Sequence, residues 1–428
     1  VATSFKESSA MSRPTLPPTT LPFTNGVTRH PATLASARRR HDLDTLRVGV
    51  FALLILYHVG MGYVAGWPWH VKSEHALEWL QAPMMAVNRW RMPLLFLISG
   101  AALGLVGIRA AGWAFCRERI IRLAVPLLFA MVAVIPVQAW CQAVFNGAWN
   151  GGFADFLVAY FSFVPWPAGA FDGSDVGVTW NHLWYLVYLL GYTLLLAALM
   201  PLLRHAGVGI AMNWLARRGI GAWILALAAV PTLSALLLAD AWPPANNFFA
   251  DWYQHGVYFP VFLFGYLIAR HDGFWAAVLT ARLPLTLAAI VAGALHFAAL
   301  EAGGGQPDAA LKALIRVSRM GYMACAMFAI LGWARHLLDR PFRWLPRATE
   351  ALFPWYILHQ SLIVLTVFLL AGSGLPAPAE VSIVLLVTVA GCAIGTEIIR
   401  RVSWLRPLFG LKARPAPSPD LAAAMKPI

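Results

Sequence analysis

A chain of 428 residues in which 60% are hydrophobic and only 12% charged carries about half the charge of an average soluble domain. That composition excludes a soluble globule and indicates a polytopic helical membrane protein. The formal charge of +13 does not point to nucleic acid either, because the basic residues fall in short clusters between apolar segments rather than along one stripe.

Residues 1–40 are rich in Thr, Pro, Ser and Ala and have no apolar core, so a disordered cytoplasmic tail is expected there rather than a cleaved signal. Apolar stretches of about 18–25 residues then recur near 47–66, 88–107, 120–143, 180–203, 220–239, 253–270, 278–300, 315–337, 351–371 and 381–399,. The pattern predicts an all-α membrane domain over residues 41–410 with about ten transmembrane helices, followed by a second tail at 411–428. Charge sets the expected orientation. Arg38, Arg39 and Arg40 precede the first stretch; Arg109, Arg117, Arg119 and Arg122 follow the second; Arg204, Arg217 and Arg218 follow the fourth. Arg270 and Arg282, then Arg335, Arg340, Arg343 and Arg347, then Arg400, Arg401, Arg406, Lys412 and Arg414 continue the alternation. The other connections hold Lys72, Glu74 and Glu78, then Asp155, Asp172 and Asp175, then Asp240 and Asp251, and finally Glu380. Both termini are therefore expected in the cytoplasm.

The first stretch carries the most informative pair. Arg47 and His58 stand eleven positions apart in RVGVFALLILYH, and no other Arg or Lys has a His at that offset. On a helix they lie roughly 16 Å apart along the axis and about 20° apart in direction. Asp44 falls on nearly the same face as Arg47 and is placed to pair with it. An ionisable side chain in the hydrocarbon is costly and marks a functional candidate. Two further features stand out. The connection over about 144–179 contains Trp149, Phe153, Trp166 and Trp180, and an earlier segment contains Trp67, Trp69, Trp79 and Trp90; these are either an interfacial aromatic belt or flat faces for a sugar ring. Cys116, Cys141, Cys325 and Cys392 lack the spacing of metal or redox sites, so no metal is expected and the thiols read as small apolar side chains,.

The strings HDLDTLRVGVFALLILYH, NRWRMPLLFLISG, RERIIRLAVPLL, NHLWYLVYLL and FPWYILHQ resemble, in order and spacing, the acyltransferase-3 superfamily of multipass membrane acyltransferases. WHVKSEHALEWL and YFPVFLFGYLI look most like its glucan-biosynthesis C branch, which is associated with succinylating osmoregulated periplasmic glucans. The resemblance covers about residues 40–410. It implies transfer of an acyl group, succinyl or acetyl, from cytoplasmic acyl-CoA to a hydroxyl of an envelope carbohydrate, with no permanently bound cofactor. Its hallmark of a basic residue, ten positions and a His falls on Arg47 and His58. Its Arg-x-x-Arg motif falls on Arg119 and Arg122, chosen by position over Arg316 with Arg319 and Arg340 with Arg343, which satisfy the same pattern.

Acyl transfer to an alcohol needs a base, donors for the developing oxyanion and cations for the donor's phosphates. An imidazole titrates near neutral pH, and its neutral form is the one a base requires, so His58 is the candidate base. Arg47, Arg119 and Arg122 are candidates for coenzyme A phosphates, with positive-inside anchoring as the simpler reading. His182 and His359 are candidates for orienting the acceptor or assisting His58, and packing roles remain open for both. Glu397 is expected to pair with a His or an Arg. Lys312, Arg316 and Arg319 share a helix face against the positive-inside trend, and with Arg91 they are candidates for an anionic acceptor or acyl carboxylate, for headgroup contact, or for pairing with acids on that side. The rival classes are a transporter or flippase of a lipid-linked or small sugar, which paired interrupted helices would favour, and a non-enzymatic scaffold. Oligomeric state is left open.

Overall fold

The computed structural model describes residues 39–107, 112–163 and 165–413; residues 1–38 of the expected N-terminal tail, Arg109 and residues 414–428 of the expected C-terminal tail lie outside them. The residues from Arg40 onward belong to one compact unit. Its described residues are mostly helical, with no strand beyond an isolated bridge between Val64 and Leu77.

The first helix, α1 (His41–Tyr63), has Asp42 and Asp44 in its first turn, where acids suit the positive end of the helix dipole,. Asp42 is 1% exposed and accepts hydrogen bonds from Arg40 Nε at 2.9 Å and Nη2 at 2.6 Å, with Arg335 at 3.6 Å. At its other end the 64–77 loop folds back over the last turn. Lys72 Nζ donates to Met61 O at 2.8 Å and Val64 O at 2.5 Å, satisfying carbonyls that the helix leaves without partners,. Burial pulls this ammonium down from the ordinary lysine value,.

Next come α2 (Gln81–Val106), then α3 (Trp113–Ala133) and α4 (Pro136–Phe145), which meet at a 41° bend with Pro136 opening the second piece,. A short α5 (Phe153–Phe161) precedes α6 (Trp184–Leu203), whose entry is a 3-10 turn at Asn181–Leu183. The rest are α7 (Ala206–Arg218), α8 (Ile220–Leu238), α9 (Trp252–Ile268), α10 (Asp272–Thr280), α11 (Arg282–Ala302), α12 (Ala309–Leu337), α13 (Leu345–Leu370), α14 (Ala377–Arg401) and the single turn α15 (Leu405–Leu408).

Among the described residues, eight helices are long and apolar enough to cross a membrane, and α3 with α4 would make a ninth if the bent pair is one span. The remaining apolar stretch, near 253–270, is α9, a helix of 17 residues. All ten expected stretches are therefore helical. Helices α5, α7 and α10, which no long apolar run announced, lie in the connections.

Close packing of α2 on α9 depends on small residues. A Cβ on Gly100 would run into the Phe262 carbonyl, one on Gly265 into the Leu97 carbonyl, and one on Gly104 into Ala269 and the Tyr266 carbonyl. Within a bilayer, where burial of apolar surface drives little, this backbone approach supplies van der Waals contact instead.

The long aromatic connection folds on itself. Phe156, Tyr160 and Phe171 form a small second core, joined by Trp149 and Trp166, whose rings are 5.6 Å apart. Phe153 packs on Trp140 at 5.5 Å, and Trp180 donates to Asn246 O at 3.1 Å. Most of these rings are thus spent on holding the connection together, while Trp79 stays 69% exposed. Cys141, Cys325 and Cys392 are buried and Cys116 half-buried, all as free thiols.

Candidate active site

Helices α1 and α13 bring His58 and His359 together. Their rings stack at 5.1 Å and 8°, and His58 Nδ1 lies 2.9 Å from His359 Nε2. Proton positions follow from the surroundings. His359 Nδ1 sits 3.0 Å from Trp355 O and 2.9 Å from Tyr356 O, two acceptors, so it carries the hydrogen,. In the neutral ring, Nε2 of His359 is then a bare lone pair, and His58 Nδ1–H donates to it. That leaves the lone pair of His58 on Nε2, on a ring that is half-buried rather than sealed. An imidazole held in this tautomer is competent to accept a proton at one defined atom.

Around this pair lies a bed of polar side chains. His182 stacks edge-on to His359 at 5.2 Å; its Nε2 donates to Tyr356 O at 3.0 Å and its Nδ1 accepts from Gln138 Nε2 at 3.2 Å. Gln138 Nε2 also donates to Ser361 Oγ at 2.7 Å. Gln360 Nε2 faces His70 Nε2 at 2.9 Å, Asn181 Oδ1 at 3.0 Å and Gln138 Oε1 at 3.1 Å. His70 Nδ1 donates to Gln142 Oε1 at 2.6 Å, with Asp172 Oδ2 3.3 Å away. Asn181 holds a left-handed backbone at φ 45°, and its Nδ2 is buried without a partner among the described residues. A strained non-glycine residue with an unused donor is the kind of feature that clusters at functional sites.

Arg91 completes the cluster from α2. Its guanidinium stacks on the Tyr57 ring at 3.5 Å, it is 6% exposed, and its Nε and Nη1 have no hydrogen-bond partner among the described residues. Its charge is close enough to act on His58, as are His182 and His70. A buried cation without a carboxylate is costly in an apolar setting, and an anionic or strongly accepting ligand offsets that cost.

The other sequence-predicted residues are placed as follows. Arg47 lies near the start of α1, with Asp44 Oδ1 3.9 Å from its Nη2, and its charge reaches Tyr185. Tyr185 in turn hydrogen-bonds Ser99 Oγ at 2.7 Å and packs 6.2 Å from Tyr356. Arg119 lies over its own Phe115 at 5.2 Å and Arg122 is exposed; among the described residues no contact ties this pair to Arg47. Glu397 accepts from Arg401 Nε at 2.8 Å, with Arg400 at 3.9 Å, and is half-exposed at the end of α14, away from the histidines. Arg316 pairs with Asp240, joined by Lys312 at 3.7 Å. The Arg316 hydrogen bond holds the Asp240 carboxyl below the usual carboxylate range,.

Sequence reasoning missed His70, Gln138, Gln142, Asn181, Gln360 and Ser361. One signal was available: Gln138 and Gln142 stand one turn apart in an apolar span, and Gln360 and Ser361 directly follow His359. A polar side chain in a membrane helix needs a partner.

A family model described as an acyltransferase domain matches residues 40–397. Among curated proteins, the glucans biosynthesis protein C of Escherichia coli K12 is 24% identical over 173 residues, which is 40% of this chain and 41% of that relative. The same protein of E. coli O1:K1 / APEC gives the same identity and coverage. The matched stretch therefore spans well under half of these relatives. No solved structure matches. With the family match running across nearly all the described helices and taking in His58, His182 and His359, the chain belongs to this family of membrane acyltransferases.

Proposed function

We propose that the protein is an O-acyltransferase of the bacterial inner membrane, moving a succinyl or acetyl group from acyl-CoA to a hydroxyl of an envelope carbohydrate, with His58 as the base. The observation that carries this reading is the His58–His359 pair, because its hydrogen bond fits a tautomer that leaves a single lone pair, on His58 Nε2, to accept a proton,. The acceptor hydroxyl gives its proton to that nitrogen as its oxygen attacks the thioester carbonyl carbon. The tetrahedral intermediate collapses with cleavage of the C–S bond, and the departing thiolate takes the proton back from His58, giving ester and free coenzyme A. Arg91 and Asn181 Nδ2 supply unused donors for the charge on the carbonyl oxygen or for an acyl carboxylate,. Gln138, Gln360 and His70 offer the hydroxyl-matching surface a sugar requires.

Both termini lie in the cytoplasm in this reading. The coenzyme A phosphates dock near Arg47, Arg119 and Arg122, and the pantetheine arm covers the roughly 16 Å of helix from Arg47 to His58. The acceptor enters from the side of the 64–77 and 144–179 connections. Mass spectrometry of envelope glycans tests this. A deletion strain lacks one acyl mass increment, wild-type protein restores it and the His58→Ala variant does not. An unchanged glycan profile in the deletion strain rejects the carbohydrate acceptor. The mass of the increment distinguishes succinyl from acetyl.

A further inference from the structure

The 64–77 connection does more than cap α1. It closes on itself at its base, where Leu77 N donates to Tyr63 O at 2.8 Å and Ser73 N to Gly62 O at 2.9 Å. Lys72 grips the end of α1, and Ser73 Oγ donates at 3.0 Å to the buried carboxylate of Glu380, which also accepts from Tyr63 at 3.2 Å. His75 Nε2 donates to Leu375 O at 2.8 Å. Gly66, Pro68, Glu74 and Ala76 face outward and are exposed, while His70, 3% exposed, and Val71 turn inward. A loop fixed in this way presents one imidazole to the polar bed.

The side chains that hold this ring do not depend on it. Gln360 Nε2 donates to His70 Nε2 at 2.9 Å, but its two hydrogens have two other acceptors, Asn181 Oδ1 at 3.0 Å and Gln138 Oε1 at 3.1 Å,. Gln142 Oε1 accepts from His70 Nδ1 at 2.6 Å and also from Asp172 N at 3.0 Å. Turning the ring away therefore leaves neither partner unsatisfied, and the Asp172 carboxylate, 61% exposed and 3.3 Å from Nδ1, stands ready to receive it,. On the amide of Asn181 that Gln360 reaches, Nδ2 still lacks a partner among the described residues. A spare donor beside a ring that can leave suits a ligand rich in hydroxyls. From there the contacts run through Gln138 to His182 at 3.2 Å, and from His182 to His359, the partner of His58.

We propose that His70 is a gate that makes the enzyme select a glycan hydroxyl over water, an inference that rests on the acyl-transfer reading above. With the ring against Gln360, water is kept from the thioester. A sugar offers hydroxyls to Gln360, Asn181 and Gln142 at once and displaces the ring, which a single water does not. Without the gate, water attacks the thioester carbonyl carbon and His58 Nε2 takes its proton; the C–S bond breaks and the thiolate regains the proton, giving free acid and coenzyme A. Coenzyme A release from succinyl-CoA and from acetyl-CoA by the purified full chain, with no glycan present, tests this. The expected result is slow release by the wild type and release faster by about tenfold in His70→Ala. His70→Gln, whose amide oxygen stands in for Nε2, keeps the wild-type rate, and adding His58→Ala to His70→Ala abolishes the gain. Wild-type release as fast as that of His70→Ala, or a gain that survives the loss of His58, would overturn the proposal. Should His70→Ala fail to fold, Gln142→Leu decides: it removes the acceptor that holds Nδ1 and is expected to raise release by about threefold, an unchanged rate overturning the gate. If the gate alone fails, wild-type and deletion strains still differ by the acyl increment on their envelope glycans; if the transfer reading fails, that difference is absent.

Discussion

The proposed reaction gives the two histidines of the stacked pair different work, and the difference is testable one side chain at a time. His359 touches backbone carbonyls with Nδ1 and His58 with Nε2, so in the proposed reaction it positions rather than reacts. Replacing it, His359→Ala, leaves the His58 Nδ1–H without an acceptor and frees the ring to change tautomer. The expected outcome is a fall in kcat of roughly 10–100-fold with KM for acyl-CoA little changed, and partial recovery in His359→Gln, whose amide oxygen can accept the same hydrogen. A changed KM with unchanged kcat would show that His359 binds donor instead. His58 and His359 were legible as residues that do not belong in hydrocarbon without a reason. Their mutual contact was not, because 301 positions separate them and only tertiary packing reveals it. Arg91 was legible only as part of a matched string; its unpaired nitrogens are a property of what surrounds them. Glu397 shows the converse, since a carboxylate that looks intramembrane in sequence sits at a helix end beside Arg400 and Arg401.

At the scale of helices, the apolar runs announced every long element, because length and hydropathy are local quantities. The bend between α3 and α4 was not announced, although Pro136 sits at it and removes a backbone donor there,. The bend matters, for it places Gln138 and Gln142 of α4 among the histidines. The aromatic connection likewise read as an exposed platform or belt, and folds into its own small core because Phe156, Tyr160 and Phe171 find one another. The α2 and α9 contact gives the sharpest mechanical prediction. Gly100→Leu forces its side chain into the Phe262 carbonyl and is expected to destabilise the fold by about 3 kcal/mol or more, as overpacking does at its upper range. Thermal unfolding in detergent measures it. Gly209→Leu on α7, where a Cβ meets nothing within 4 Å, is the matched control and should cost under about 1 kcal/mol.

At the scale of the whole molecule, the account requires two substrates to reach one nitrogen from opposite sides of the membrane. Orientation is the first check. With an impermeant maleimide on intact cells stripped of their outer membrane, a cysteine at Asp175 should label, and one at His205 should label only after permeabilisation; the reverse pattern would invert the proposed entry routes. The direct test of the central claim is acceptor-dependent release of coenzyme A by the purified protein in wild-type and His58→Ala forms. The account predicts a loss of about 10²–10⁴-fold in kcat on removing the imidazole, with acyl-CoA binding retained. A variant that releases coenzyme A at the wild-type rate, with the glycan acceptor present, would contradict it.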